Sequence, residues 1–268
     1  MSRGVSYTKH LDLTQTKEIY EQSVENWDFL YKASTTKDSR FDIGDRVCLP
    51  DGRVFRYGKA SGSIDCDLGC KFAEDEVQTY DTTVTAIAPG DTSVTVDGGA
   101  HAALTEDELR GGYVIVYHTG GGGYTQFRGI VGNDVADANA DFTVYVDASF
   151  DYTAAVGTGI EVFYNPYAKL VDGSSAAVTC SVAGRPAINA TDGQYFWVQT
   201  WGPTWVAPTN ASFADANDRG AYWRHSGAIE GEIANASKNV GENSTQYAGF
   251  LINEGFTTGP LFMLQVSP

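Results

Sequence analysis

Hydrophobic positions fall in short alternating runs along most of this chain, separated by Gly, Pro, Asp and Asn. A two-residue period of this kind predicts strands with one covered face, joined by tight turns. Val47-Cys48-Leu49 and Val54-Phe55-Arg56-Tyr57 flank Pro50-Asp51-Gly52, so 45–57 predicts a hairpin whose Asp-Gly supplies the positive-φ positions of its turn. A second hairpin is expected from Thr83-Val84-Thr85-Ala86-Ile87 and Ser93-Val94-Thr95-Val96 around Pro89-Gly90-Asp91. Thr105-Glu106-Asp107-Glu108 fits a capping box for a very short helix, stopped by Gly111-Gly112. Strands are then expected at 113–117, 124–131, 142–146, 160–164 and 168–170, with Gly120–Gly123 as a mobile or subunit-contacting loop tip. This is the spacing of a small barrel or sandwich.

A second β series begins near Ala176, with strands expected at 178–182, 195–200, 205–206, 228–233, 249–253 and 259–266. Its centre is Gly193-Gln194-Tyr195-Phe196-Trp197-Val198-Gln199-Thr200-Trp201-Gly202-Pro203, with large rings on both faces of one strand. Tyr195, Trp197 and Gln199 would share one face and Phe196, Val198 and Thr200 the other. A strand apolar on both faces is covered on both, within the chain or at a contact between subunits. Gly202-Pro203 is expected to end it.

Residues 1–40 differ in being polar, with scattered aromatics. Thr14 to Lys32 carries Ile19, Tyr20, Val24, Trp27, Phe29 and Leu30 at an imperfect helical spacing, so a helix is expected there within an extended arm. The sequence reads as mainly β: small antiparallel β-barrel or sandwich units behind an N-terminal arm. The divisions expected are 1–40 for the arm, 41–170 for a first β domain and 171–268 for a second. Tyr7, Tyr20, Trp27 and Phe29 are the candidate arm contacts; Tyr195, Trp197, Trp201 and Trp205 are the candidates for an oligomer interface or core.

Charge narrows the partners. A net charge of −16 opposes docking on nucleic acid, where affinity comes from Lys and Arg neutralising phosphates, and opposes anionic membranes. No apolar run approaches the ~20 residues of a membrane-spanning helix, and Met1–His10 has no secretory h-region, so an unsecreted, non-membrane protein is expected. Cys66 and Cys70 form a C-x₃-C pair without the second pair of a structural zinc site, so Cys48, Cys66, Cys70 and Cys180 read as small reduced thiols. A metal site on Cys48, Cys66 and Cys70 is the alternative.

Catalytic patterns are sparse. His10, His101, His118 and His225 lack H-x-x-x-H spacing, and neither a G-x-S-x-G elbow nor a phosphate-binding loop occurs. Asp65 with Asp67, Asp147 with Asp151 and Glu230 with Glu232 can be paired on paper for glycosidase chemistry, but solvated surface is the ordinary fate of acids in so acidic a chain. Asp134, Asp137 and Asp141 could supply hard oxygens to calcium. Tyr195, Trp197, Trp201 and Trp205 could form a sugar platform if one face lay open. The expectation is a binding protein with no cofactor and no enzymatic activity.

A set of segments resembles a known group. A Gly-Asp-Arg strand follows the polar arm, and then come Asp51-Gly52-Arg53-Val54-Phe55-Arg56-Tyr57-Gly58-Lys59-Ala60, the Val/Thr hairpin and Glu108-Leu109-Arg110-Gly111-Gly112-Tyr113. Val162-Phe163-Tyr164-Asn165-Pro166-Tyr167 and the aromatic strand through Pro203 complete it. The series is similar to virion structural proteins of tailed bacteriophages, in particular head-decoration or cement proteins. That resemblance implies a non-enzymatic homotrimer on the outer capsid surface, made in the host cytoplasm, which bridges copies of the major capsid protein. Two other readings stand beside it. One is a tail, neck or receptor-binding virion protein with a carbohydrate-contacting surface at Trp201, Trp205 and Trp223; the other is a polysaccharide-degrading enzyme, which would need a converging carboxylate pair.

Overall fold

A computed structural model of the chain describes residues 24–73, 76–117, 124–175, 180–207, 211–212, 219–231, 246–253 and 259–268. The protein is mainly β, built on two curled antiparallel sheets. Its strands, in chain order, are β1 (Arg46–Cys48), β2 (Val54–Lys59), β3 (Cys70–Phe72), β4 (Glu76–Thr82), β5 (Ser93–Val96) and β6 (Tyr113–Val116). They continue with β7 (Gln126–Asn133), β8 (Phe142–Val146), β9 (Gly159–Phe163), β10 (Leu170–Val171), β11 (Val182–Pro186) and β12 (Tyr195–Trp205). The last are β13 (Ala211–Ser212), β14 (Gly220–Trp223), β15 (Ile229–Gly231), β16 (Gln246–Asn253) and β17 (Leu261–Gln265). The helix expected over 14–32 is realised, among the described residues, as one 3-10 helix at Val24–Tyr31.

Contacts divide the chain into two units, and one is inserted in the other. The inserted unit spans 76–166, and the host unit unites 24–73 with 167–268. This grouping differs from the sequential division at about 40 and 170, and strand pairing explains it. β2 pairs with β12 along six residue pairs, and β3 pairs with both β10 and β11, so 41–73 is stitched to the C-terminal part of the chain.

In the inserted unit the sheet order is β4-β9-β6-β7-β8-β5, and every pairing is antiparallel. Alternation does what the sequence predicts. Val94, Val96, Val114, Val116, Phe142, Val144, Val146, Ile160 and Val162 point inward, joined by Leu104, Leu109 and Phe150 from the loops. The expected hairpin at 83–96 forms only in its second arm. β5 pairs with β8, whereas 83–87 makes single bridges, Thr83 to Val96 and Ile87 to Ala154. The capping-box residues bond as expected, Thr105 N–H donating to Glu108 Oε2 at 2.9 Å, but they close a turn rather than a helix. Asp107 there has φ 59°, a left-handed value that interrupts a helix. The Gly120–Gly123 tip lies outside the described residues.

In the host unit the sheet runs β10-β3-β11-β12-β17-β16-β14-β15-β13, with β2 and then β1 branching from β12. The pairing of β13 with β15 is parallel; the rest are antiparallel. Three apolar clusters fill it: one around Phe196, Val198, Leu170 and Tyr167, one around Trp223, Phe262 and Leu264, and one around Trp197, Tyr57 and Phe55.

Candidate interaction surface

Strand β12 joins all three clusters of the host unit, and its two halves have opposite fates. In the first half the faces alternate as the sequence predicts. Phe196 and Val198 enter one cluster; Trp197 enters another with Tyr195 packed against it. Trp197 is 2% exposed. Its cover comes from the arm, the segment after it and β2: Phe29 lies edge-on at 5.6 Å, Phe41 edge-on at 4.9 Å, and Tyr57 at 5.0 Å between ring centroids. Trp27 packs on Phe29 in turn, and Tyr195 stacks on Tyr57. Such ring pairs add specific geometry to area burial. Ser34 anchors the arm by exchanging backbone hydrogen bonds with Tyr195. The guanidinium of Arg40 lies over both Phe29 and Phe41 and forms an ion pair with Asp38. The hydrogen bond from Arg40 holds the Asp38 carboxyl below its ordinary range, while burial pushes the Tyr57 hydroxyl up. The arm candidates Trp27 and Phe29 and the strand candidates Tyr195 and Trp197 therefore meet within one chain. Tyr7 and Tyr20 lie outside the described residues.

The strand does not end at Gly202-Pro203. A bulge between Gln199 and Trp201 shifts the register, and β12 continues to Trp205 paired with β17. The buried Gln199 side chain secures the bulge, its Nε2 donating to the carbonyls of Trp201, Gly202 and Pro203. Gly202 has φ +94°, and a Cβ there would sit 2.7 Å from the Arg53 Cα, so glycine is needed on both counts. Pairing with β2 stops at Trp201, so Pro203 lies where one side of β12 is an edge among the described residues, a position that tolerates proline.

Beyond the bulge one face is covered and the other is bare. Thr204 and Gly202 face the cluster of Phe262, Leu264 and Val206. On the opposite face, Pro203 aligns with Met263 and Met263 with Phe250, while Trp205 aligns with Leu261. Trp205 is 42% exposed, Phe250 44%, Ile252 50%, Leu261 38% and Tyr247 45%. Trp201 and Pro203 are half-buried beside them. Three adjacent strands thus present a continuous apolar patch with a polar margin at Gln265, whose Oε1 accepts from the Tyr247 hydroxyl at 3.4 Å. Phe250 and Ile252 fall in the strand expected at 249–253, but neither they nor Tyr247 were contact candidates from the sequence; the period is broken by Gly249, and only the register with β17 brings them beside Trp205. The inserted unit has a smaller counterpart, in which Tyr113 and Phe127 stack at 5.1 Å on the outer side of β6 and β7.

The other candidates resolve into local structure. Trp223 is 1% exposed and packs edge-on against Phe262, so it offers no surface to a glycan. Asp151 pairs with Arg128, and Asp147 accepts from the Gly129 amide. Glu230 is buried against Arg224. Among the described residues Asp65, Cys66 and Asp67 bring three ligand atoms within 4.8 Å of one another. However, Asp65 accepts from the Asp67 amide, and the Arg185 guanidinium beside Cys66 and Asp67 already supplies positive charge. Burial also pushes the Cys66 thiol up, away from the thiolate a metal requires. Cys70 is remote in function as well: fully buried, its thiol bonds the Gly184 carbonyl and is driven far above its ordinary range by burial. Lys71, pulled down by burial, ties β3 to the Ser175 carbonyl.

No helix among the described residues is long and apolar enough to cross a membrane. Comparison of the chain with protein-family models, with curated proteins and with solved structures found no match.

Proposed function

We propose that this is a non-enzymatic virion protein of a tailed bacteriophage that decorates an assembled capsid, with its bare β12–β17–β16 face as the docking surface. The observation that carries the reading is this patch of Trp205, Leu261, Met263, Phe250 and Ile252. Contiguous apolar area of this kind on a sheet is a mark of protein contact, and an exposed Trp within it is the kind of residue that dominates binding energy. The resemblance of the 44–205 segments to cement proteins supplies the partner class. A stiff sheet carrying rings ringed by polar groups suits a clamp across neighbouring coat subunits, and repetition around a closed trimer would multiply weak contacts.

Co-sedimentation with assembled shells and with unassembled coat protein tests the reading. The full-length protein is expected to pellet with shells and to raise their resistance to heat, and Trp205→Ala with Leu261→Ser to abolish both. Shells equally heat-resistant with and without the protein would overturn it. The glycan-contact reading keeps Trp201 and Trp205 but loses Trp223, which is core.

A further inference from the structure

The β1–β2 hairpin places two like charges at its closest cross-strand position. Arg46 and Arg56 are directly opposed. The flanking bonds, Tyr57 N–H to Asp45 O and Leu49 N–H to Arg53 O, put the hydrogen-bonded pairs at odd positions of β1, so Arg46 and Arg56 form a non-hydrogen-bonded pair. Side chains approach most closely in such pairs, and like charges there are unfavourable. The acids of the neighbourhood are engaged elsewhere: Asp38 with Arg40, Asp42 with Lys37, Asp51 with Arg53, and Asp45 with the Asp42 amide. Among the described residues neither arginine has an ion pair, and the Nε of each is buried without a hydrogen-bond partner. Arg56 is nonetheless held in place. Its Nη1 donates to the Gly44 carbonyl at 3.1 Å, and its guanidinium lies over the Tyr167 ring at 5.8 Å. Both residues are half-buried, so the pair can be reached from solvent.

We propose that Arg46 and Arg56 together receive a carboxylate from an acidic segment of a polypeptide partner. Two arginines opposed across one strand pair offer a carboxylate a double positive charge and further guanidinium N–H donors. A net charge of −16 opposes carboxylates and phosphates alike over the surface as a whole, so the arginine pair is a local exception and the phosphate competitor distinguishes the two anions. A half-exposed charge pair is weak by itself, so the occupant is one that other contacts also hold, which selects a polypeptide over a free small acid. The inference stands on the hairpin and does not depend on the capsid reading.

The test uses the full chain and a dye-labelled hexaglutamate peptide, with hexaglutamine as control and inorganic phosphate as competitor, followed by fluorescence anisotropy at low salt. Saturable binding of hexaglutamate alone is expected, weakening with added salt. It should fall by about tenfold or more in Arg46→Gln/Arg56→Gln, with Arg56→Lys intermediate because it keeps the charge and loses the fork. Circular dichroism of each variant, and the single Arg46→Gln, separate loss of binding from loss of fold. An arginine pair without a counter-charge also predicts that free Arg46→Gln melts no lower than the parent protein. Absent binding, equal binding of hexaglutamine, undiminished binding by the double variant, displacement by equimolar phosphate, or a lower melting temperature of free Arg46→Gln would each overturn the proposal.

Discussion

The two halves of strand β12 both carry large rings but differ in surroundings. Tyr195 and Trp197 come before the bulge at Gln199–Trp201, and the chain's own arm covers them. Trp201 and Trp205 come after it, and Trp205 stands 42% exposed beside Leu261. An aromatic run records that rings are to be covered but not by what. The covering agent is decided by where other segments reach, and here Phe29 and Phe41 reach Trp197.

The contrast predicts a graded set of outcomes. Trp197→Ala, at the covered end, should destabilise the protein by about 3–5 kcal/mol in chemical unfolding, because the cavity it leaves is walled by rings that cannot all collapse inward. A loss below about 1 kcal/mol would show that the arm does not seal this half. Phe29→Ala removes one wall of the same cluster; being half-buried, it should cost about 2 kcal/mol and raise the fluorescence sensitivity of Trp197 to soluble quenchers. At the bare end, Trp205→Ala should shift unfolding of the free protein by less than about 1 kcal/mol while weakening the co-sedimentation with shells that the proposed function expects. A large loss of stability instead would mean that Trp205 belongs to the covered half.

The smallest effects concern titration and thiol chemistry. Asp38 has a folded-state pKa below its unfolded value, through its hydrogen bond from Arg40. Its contribution is therefore present above the unfolded pKa and lost as pH falls through the folded one. Asp38→Asn should slightly lower stability at neutral pH and leave it unchanged below the folded pKa, which flattens the acid limb of the stability–pH curve, as followed by urea unfolding from neutral into the acid range. Thiol labelling of the native protein should spare Cys70 and modify the half-exposed Cys48 before it, since only the thiolate reacts.

Legibility followed the range of the interactions. Phe142–Val146 and the hairpin closed by Asp51-Gly52 were readable because period and turn chemistry act between near neighbours, and Gly52 does take a positive φ of 87°. β4, Glu76–Thr82, was not readable: Glu-Val-Gln-Thr-Tyr-Asp-Thr has no clean apolar face, and two register shifts in its pairing with β9 show an irregular strand imposed by its partner. The extension of β12 past Gly202-Pro203 was hidden for a similar reason, since the Gln199 staple and the Gly202–Arg53 approach exist only once the sheet is assembled. Of the site, the residues were legible and their grouping only in part. Trp27, Phe29, Tyr195 and Trp197 were each singled out, but that the first two cover the last depends on an approach across more than half the chain.

The insertion of 76–166 within the host unit sets an order of events during synthesis. Tyr57 must wait for Trp197, and Val54–Lys59 for Tyr195–Trp205, while the whole intervening unit emerges from the ribosome. Among the described residues the strands of that unit pair with one another, so it can close first. The early hairpin then remains a half-built surface until the chain is nearly finished, so the slow step of folding belongs to the part whose contacts span the greatest length of polypeptide.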